Sequence, residues 1–318
     1  MKDGRMQTNL EYATARLLLS GLGLLPRQVA VGIGCMMGKA AYRVSRKLRQ
    51  TGERNLELAF PTLDSRERER ILRGCFISLG RQLGEVSKFS GMRNRDLSDV
   101  IECEGLENLT TAHAGGRGVI LFTGHLGAWE LSSLTLSLLG YPLNFLVRRI
   151  DNPKVEQLLD QTRTRFGNGT IDKRNAMRPA LRSLRAGGIL GLLVDVNMVS
   201  QEGIFVDFFG KAASTTFMLA KLALRTNAPV LPVFAPWNAK RNRFLLHIGE
   251  PLTVERSGNE AEDVRTLTSH FTKVIEDYIR RYPDQWLWIH KRWRTRPAGE
   301  VDLYQNGTRH SVTAIHPL

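Results

Sequence analysis

A chain of 318 residues, 42% of them hydrophobic, is long enough to bury a sizeable core as one large α/β domain or two smaller ones. Its formal net charge is +14, which draws it toward something acidic: nucleic acid, an anionic membrane or an acidic protein. Nucleic acid is disfavoured, because the chain has no zinc-finger spacing, RNP-type aromatic motif or Walker-type loop, and its basic residues are spread through helices rather than gathered in one tail.

Residues 1–10 are polar, and no small-residue cleavage site follows a clean apolar core, so no standard signal peptide is expected. Residues 17–42 are apolar and nearly free of charge, but Pro26-Arg27 interrupts them, and neither half has the length of a comfortable transmembrane helix. Arg16 precedes the stretch, and Arg43, Arg46, Lys47 and Arg49 follow it. Such flanks suit anionic headgroups on a cytoplasmic face. The stretch reads as a kinked span, a re-entrant hairpin or an interfacial anchor, against the plainer alternative of two buried core helices. After Pro61, Asp64 stands three residues before Glu67 as a capping box, and Ile71, Leu72, Cys75, Phe76, Leu79, Leu83 and Val86 recur at helical spacing. That stripe is expected to pack. Cys35, Cys75 and Cys103 are odd in number and far apart, and they read as buried thiols of a reduced compartment rather than a disulfide framework or metal site.

From about Glu104 the pattern alternates. Residues 118–123 read as a buried strand, 129–139 as a helix and 143–147 as a strand. Asn152-Pro153 caps a helix reaching about Phe166, and residues 175–186 form another, stopped by Gly187-Gly188. A strand over 189–194 ends at Asp195, a helix covers 214–226, strands cover 230–234 and 244–248, and a long helix covers 261–281. The expected fold class is α/β, with a mainly parallel central sheet flanked by helices and an N-terminal helical membrane-associating segment. The expected division is 1–50 for that segment, 51–297 for the α/β domain and 298–318 for a polar, loosely ordered tail.

Ligands in such sheets gather at the C-terminal ends of strands, where His125, Asp195 and the Arg148-Arg149 pair all fall. Gly124-His125-Leu126-Gly127-Ala128-Trp129-Glu130 lies on a strand-to-helix turn. On a continuous helix of about 3.6 residues per turn, residues five apart point roughly 140° from each other. His125 and Glu130 therefore meet only if the chain bends, and Gly124 and Gly127 permit the bend. With seven His in the chain, chance supplies about 0.7 such His–acid spacings, so the strand-turn-helix setting carries more weight than the spacing. A His held by a carboxylate at a sheet's mouth is a general base that takes a hydroxyl proton, while the carboxylate fixes the tautomer and stabilises the imidazolium. The chain has no Gly-x-Ser-x-Gly elbow. Backbone N–H groups near the glycines are candidate donors to a developing oxyanion, with none singled out by the sequence.

Further blocks follow in order: Leu146-Val147-Arg148 with Asp151-Asn152-Pro153, Arg163-Thr164-Arg165, Asp195 after its strand, Gly203-Ile204-Phe205-Val206-Asp207-Phe208-Phe209-Gly210, Thr215-Thr216, and Pro283-Asp284-Gln285-Trp286-Leu287-Trp288-Ile289-His290-Lys291-Arg292-Trp293 with Arg296-Pro297. With Gly124-His125 and Glu130, the chain over residues 10–297 resembles the bacterial lipid A biosynthesis lauroyl/myristoyl acyltransferases of the lysophospholipid acyltransferase superfamily. It departs at Ala128, where members commonly have Asn, and at Asp207, where Pro is common.

The resemblance implies acyl transfer from an acyl-carrier-protein or coenzyme A thioester to a glycolipid hydroxyl, at the cytoplasmic face of the inner membrane, with no cofactor and no metal. His125 would be the base and Glu130 its orienting acid. The implied partners are an acidic acyl carrier protein, anionic inner-membrane lipids and the glycolipid acceptor. Arg148, Arg163 and Arg165 are the candidates for phosphate or carboxylate recognition, although Arg163 and Arg165 cannot share one helix face. Asp195 would bind sugar hydroxyls or cap the following loop. Phe205, Phe208 and Phe209 are acyl-groove candidates. Trp286, Trp288 and Trp293, mixed with Lys291, Arg292 and Arg294, suit either a membrane-interface belt or the packing of a C-terminal helix. His290 is taken as structural. The rival readings are another acceptor, of phosphatidylinositol mannoside or ornithine-lipid type, and a non-catalytic membrane-binding relative.

Overall fold

Three helices lead the chain, α1 (Lys2–Leu24), α2 (Arg27–Val44) and α3 (Arg46–Ala59), in a computed structural model that describes residues 2–149, 151–254 and 256–305. Pro26 separates the first two because it has no N–H with which to continue the ladder of α1. In α4 (Ser65–Val86) the N-cap Asp64 accepts the Glu67 N–H at 2.8 Å. α2 lies against α4 because both carry glycines four residues apart. A Cβ at Gly34 or Gly38 would overlap the carbonyl of Gly80 or Phe76, and one at Gly80 the carbonyl of Gly34. Arg27 donates to the buried Glu85 carboxylate at 2.9 and 2.5 Å, and Lys88 donates to the Gly23 and Leu25 carbonyls that end α1. The N-terminal helices are thus tied to the body, yet Leu10, Leu17 and Leu24 of α1 remain 68%, 74% and 88% exposed. No helix among the described residues is long and apolar enough to cross a membrane.

A short α5 (Asn94–Leu97) leads into β1 (Ile101–Glu104), α6 (Leu106–Ala114), β2 (Val119–Thr123), α7 (Trp129–Leu138), β3 (Leu143–Val147), α8 (Pro153–Thr164), β4 (Gly169–Asp172), α9 (Met177–Arg185) and β5 (Ile189–Leu193). A hairpin, β6 (Gly203–Phe208) and β7 (Lys211–Thr216), stands apart from the main sheet. Then come α10 (Met218–Thr226), β8 (Val230–Phe234), β9 (Trp237–Asn238), β10 (Arg243–Ile248) and α11 (Glu260–Arg281). The main sheet has the order β1-β10-β8-β2-β5-β3-β4, with β9 added against β10. Its pairs are parallel except where β10 meets β8 and β9. The sheet has an apolar cluster on each face. α4, α10, α11 and the C-terminal tryptophans contribute to one, and α5 to α7 to the other. β2 and β8, central and covered on both faces, are accordingly apolar throughout except for Thr123, which ends β2.

The structure departs from the sequence expectations where tertiary pairing overrides local pattern. Residues 214–216 are strand, not helix, because they pair with Phe205, Ile204 and Gly203. Phe209 and Gly210 make the hairpin turn, with φ of 57° and 72°; two successive positive φ values are the mark of a type I′ turn. Trp286, Trp288 and Trp293 are fully buried, so they form core rather than a membrane belt, and the chain around them is turn and loop rather than helix. The tail expected beyond Pro297 folds back in part. Leu303 and Tyr304 pack on the core, and the Tyr304 hydroxyl donates to Asn55 Oδ1 at 2.5 Å. Residues 306–318 lie outside the described residues. Of the three thiols expected to be buried, Cys75 is, Cys35 is half-buried and Cys103 is exposed on the edge strand β1.

Candidate active site

The loop after β2 is fixed by its backbone before any side chain matters. The Gly127 N–H donates to Gln285 O at 3.1 Å, the Ala128 N–H to Ala235 O at 2.8 Å and the Leu287 N–H to His125 O at 3.0 Å. Gly127 has a φ of 64°, and a Cβ there would overlap the Ala235 carbonyl, so this position requires glycine. Gly124 brings the chain against Asp195, whose Oδ2 would lie 3.0 Å from a Cβ at that position.

This loop presents His125 to the end of β5. Its ring Nδ1 lies 2.8 Å from Asp195 Oδ1, and its own N–H donates to Asp195 Oδ2 at 2.7 Å. The Trp286 indole N–H donates to the same Oδ2, also at 2.7 Å. Burial of Asp195 opposes its charge, but the His125 charge and these hydrogen bonds hold its carboxyl down to about 2. Because an ionised Asp195 only accepts, the neutral ring carries its proton on Nδ1 and leaves the Nε2 lone pair free. Burial likewise favours the neutral His125 ring, but the Asp195 charge and hydrogen bond, joined by the Glu130 charge, outweigh it and raise the His125 pKa above its ordinary 6.5. The ring meets Trp129 edge-on, with centroids 5.0 Å apart.

The carboxylate bonded to the His125 ring is therefore Asp195, not Glu130 as the His–acid spacing had suggested. Glu130 sits in the first turn of α7 and receives Arg163 of α8, at 2.5 and 3.2 Å. His125 precedes that helix on the bent loop and turns toward β5. Asp195 was expected to hold sugar or cap a loop. It is instead buried, with both oxygens occupied from within. Of the backbone N–H groups near the glycines, the candidates for oxyanion donors, those of residues 125 to 128 are all engaged by the protein, that of Leu126 with Gly124 O at 2.7 Å.

A cavity of about 560 Å³ opens beside His125. Trp129, Glu130, Arg148, Arg163, Lys173 and His290 line its polar part. Leu121, Leu136, Leu143, Phe145, Leu192 and Val233 line the remainder. Its size falls within the roughly 300–1,000 Å³ of small-molecule pockets. Of the three arginines, Arg148 and Arg163 reach the cavity, whereas Arg165 is exposed at the C-terminal end of α8 and lies over Phe166, 5.8 Å from the ring centroid. Phe205, Phe208 and Phe209 do not line it. Phe208 and Phe209 are buried against Trp286 and Trp288, because the β6–β7 hairpin packs on α11, where Glu276 accepts the Phe209 N–H at 2.7 Å.

Two side chains at this site were not read from sequence as such. Trp286 contacts Asp195 across 91 residues of chain, which no local spacing reveals. His290, taken as structural, lines the cavity. Its Nε2 accepts the Asn197 N–H at 3.0 Å, and burial pushes it down to about 4.

The profile of the family described as bacterial lipid A biosynthesis acyltransferase matches residues 7–295. Similar proteins include a lipid A biosynthesis lauroyltransferase of Escherichia coli K12, 28% identical over 93% of this chain and 100% of its own length. A lipid A biosynthesis palmitoleoyltransferase of the same strain is 29% identical, over 92% and 97%. A lipid A biosynthesis acyltransferase of Haemophilus influenzae is 28% identical, over 82% and 80%.

Proposed function

The chain belongs to the bacterial lipid A biosynthesis acyltransferase family, and from that premise we propose that it moves a fatty acyl group from an acyl-carrier-protein or coenzyme A thioester to a hydroxyl of a lipid A precursor. The observation that carries the mechanism is the His125–Asp195 pair at the polar end of a largely apolar cavity.

His125 Nε2 accepts the proton of the acceptor hydroxyl as its oxygen attacks the thioester carbonyl. The imidazolium formed is stabilised by the ionised Asp195 on Nδ1 and by the Glu130 charge. As the tetrahedral intermediate collapses, the C–S bond breaks and the imidazolium returns its proton to the departing thiolate. An ester and a free thiol result, and every proton is accounted for. The first-turn N–H groups of α7 begin beside His125 with no side-chain cap, so they are what the site offers a developing oxyanion. The apolar part of the cavity takes the acyl chain. Arg148 and Lys173 face phosphate, on the acceptor or on the donor's phosphopantetheine arm. Arg163 is held to Glu130 and fixes that carboxylate.

Surface chemistry supports a location on the membrane. Leu10, Leu17 and Leu24 recur every seven residues on α1, and Met36 and Val44 are exposed on α2. A helix pair with such a face and basic flanks lies on an anionic bilayer surface, which here is the cytoplasmic face of the inner membrane. The charge of +14 also draws an acidic acyl carrier protein. The test of the reading is mass spectrometry of a lipid A precursor incubated with purified protein and acyl donor. One added acyl group is expected. No mass gain on the precursor, with another glycolipid acylated in its place, overturns the assigned acceptor.

A further inference from the structure

A second cleft, of about 310 Å³, lies between α1, α4 and α8. Leu18 and Leu19 of α1, Leu79 and Leu83 of α4 and Leu159 of α8 line it, and it meets the catalytic cavity at Trp129 and Glu130, which border both. One polar side chain breaks its apolar lining away from that junction. Gln82 is only 6% exposed, lines the cleft, and has no hydrogen-bond partner for its amide Nε2. A buried amide is normally paired, because an unpaired one forfeits its hydration without return.

We propose that this cleft holds a hydrocarbon chain of the acceptor glycolipid, with an ester oxygen of that chain accepting from the Gln82 amide. The proposal rests on the acyl-transfer reading above. The reaction joins a donor with one chain to an acceptor that is itself a lipid, and both must reach His125. The cavity beside His125 is the deep one, running between the sheet and α7, and it suits the donor's single chain. The cleft approaches the same residues from the side of α1. α1 presents Ala15, Leu18 and Leu19 to the cleft and Leu10, Leu17 and Leu24 outward. A helix apolar on two faces stands between a lipid phase and an internal lipid site. The unpaired donor on α4 supplies the specificity that an apolar groove lacks: it recognises a chain carrying oxygen over a bare alkyl chain.

The test compares the affinity of the full-length wild type and Gln82→Leu for a lipid A precursor in neutral detergent, by calorimetry, and for the same precursor after alkaline removal of its ester-linked chains. Gln82→Leu should melt at the wild-type temperature or above, since it removes an unpaired amide from an apolar site. It should bind the intact precursor about 3- to 10-fold more weakly, the worth of one neutral hydrogen bond. That difference should vanish with the de-esterified precursor, and the KM for the acyl donor should stay within about twofold of wild type. Ala15→Phe, which fills the cleft from α1, should weaken the intact precursor in the same way. Equal affinity of wild type and Gln82→Leu for the intact precursor overturns the proposal. So does a shift confined to the donor's KM or chain-length preference, which would give the cleft to the donor. Absence of turnover in the wild type would instead count against the acyl-transfer reading, and the affinity comparison would still decide the cleft.

Discussion

Two histidines line the same cavity, and the protein treats them oppositely. Burial disfavours the charged form of both. At His125 a buried carboxylate on Nδ1 overcomes that penalty and raises the pKa. At His290, whose Nε2 accepts the Asn197 N–H, burial prevails: the Asp195 charge opposes it without a hydrogen bond, the Arg292 charge reinforces it, and the group falls to about 4. Burial is common to the two rings; what separates them is the charge each one faces, a hydrogen-bonded Asp195 at His125 and Arg292 at His290. In the proposed reaction His125 accepts a proton and keeps it through the transition state, while His290, held neutral, can only donate or pack.

Mutations should break this contrast in graded steps. His125→Ala should lower turnover by about 10² or more with folding intact, whereas His290→Ala, which removes no proton acceptor, should lower it by roughly tenfold or less. Steady-state acyl transfer by the two purified variants checks both, and equal losses would contradict the division of roles. Asp195→Asn should come next. It retains the shape but loses the charge that stabilises the imidazolium, so kcat should fall by about 10². Glu130→Gln should do less, roughly tenfold, because Glu130 acts on His125 through charge rather than through a hydrogen bond and its own carboxylate is shared with Arg163. Smallest of all is Trp286→Phe. It deletes one N–H donor to Asp195, a hydrogen bond to a charged group worth about 1.5–3 kcal/mol, but the two His125 donors remain. Thermal melts should register that loss more clearly than turnover does.

Linkage gives the same pairs a signature in stability. Asp195 is depressed from 3.8 to about 2 on folding, so its stabilising contribution is complete above about pH 4 and is lost as pH falls toward 2. His125 is raised on folding, so its contribution is complete below 6.5 and is lost as pH rises through its folded value.

Much of the scaffold was legible in the chain. Alternating runs located β2, β3, β5, β8 and α11 to within a residue or so, and the α4 cap at Asp64 was readable from one spacing. The position of His125 followed from a strand, two glycines and a helix. Its partner did not, because the nearer acid in sequence, Glu130, turns toward α8, while Asp195 is 70 residues away and arrives only when β5 pairs with β2. The same physics explains the phenylalanines. Phe208 and Phe209 look like lining for an apolar groove until the β6–β7 hairpin docks on α11 and spends them on the core. Gln82 was invisible for a simpler reason: on α4 it reads as an ordinary polar helical residue, and only the packing of α1 and α8 leaves its amide alone in an apolar cleft.

The most direct test of the central claim, that Asp195 sets the base, is the pH dependence of kcat/KM in wild type, Asp195→Asn and Glu130→Gln. The wild-type rate should fall below a pKa that lies above 6.5, as His125 protonates and loses its free Nε2 lone pair. That acid limb should move to lower pH most in Asp195→Asn, which loses both the charge and the charge-assisted hydrogen bond, and only slightly in Glu130→Gln. An acid limb that shifts further in Glu130→Gln than in Asp195→Asn would contradict the account and return the orienting role to Glu130.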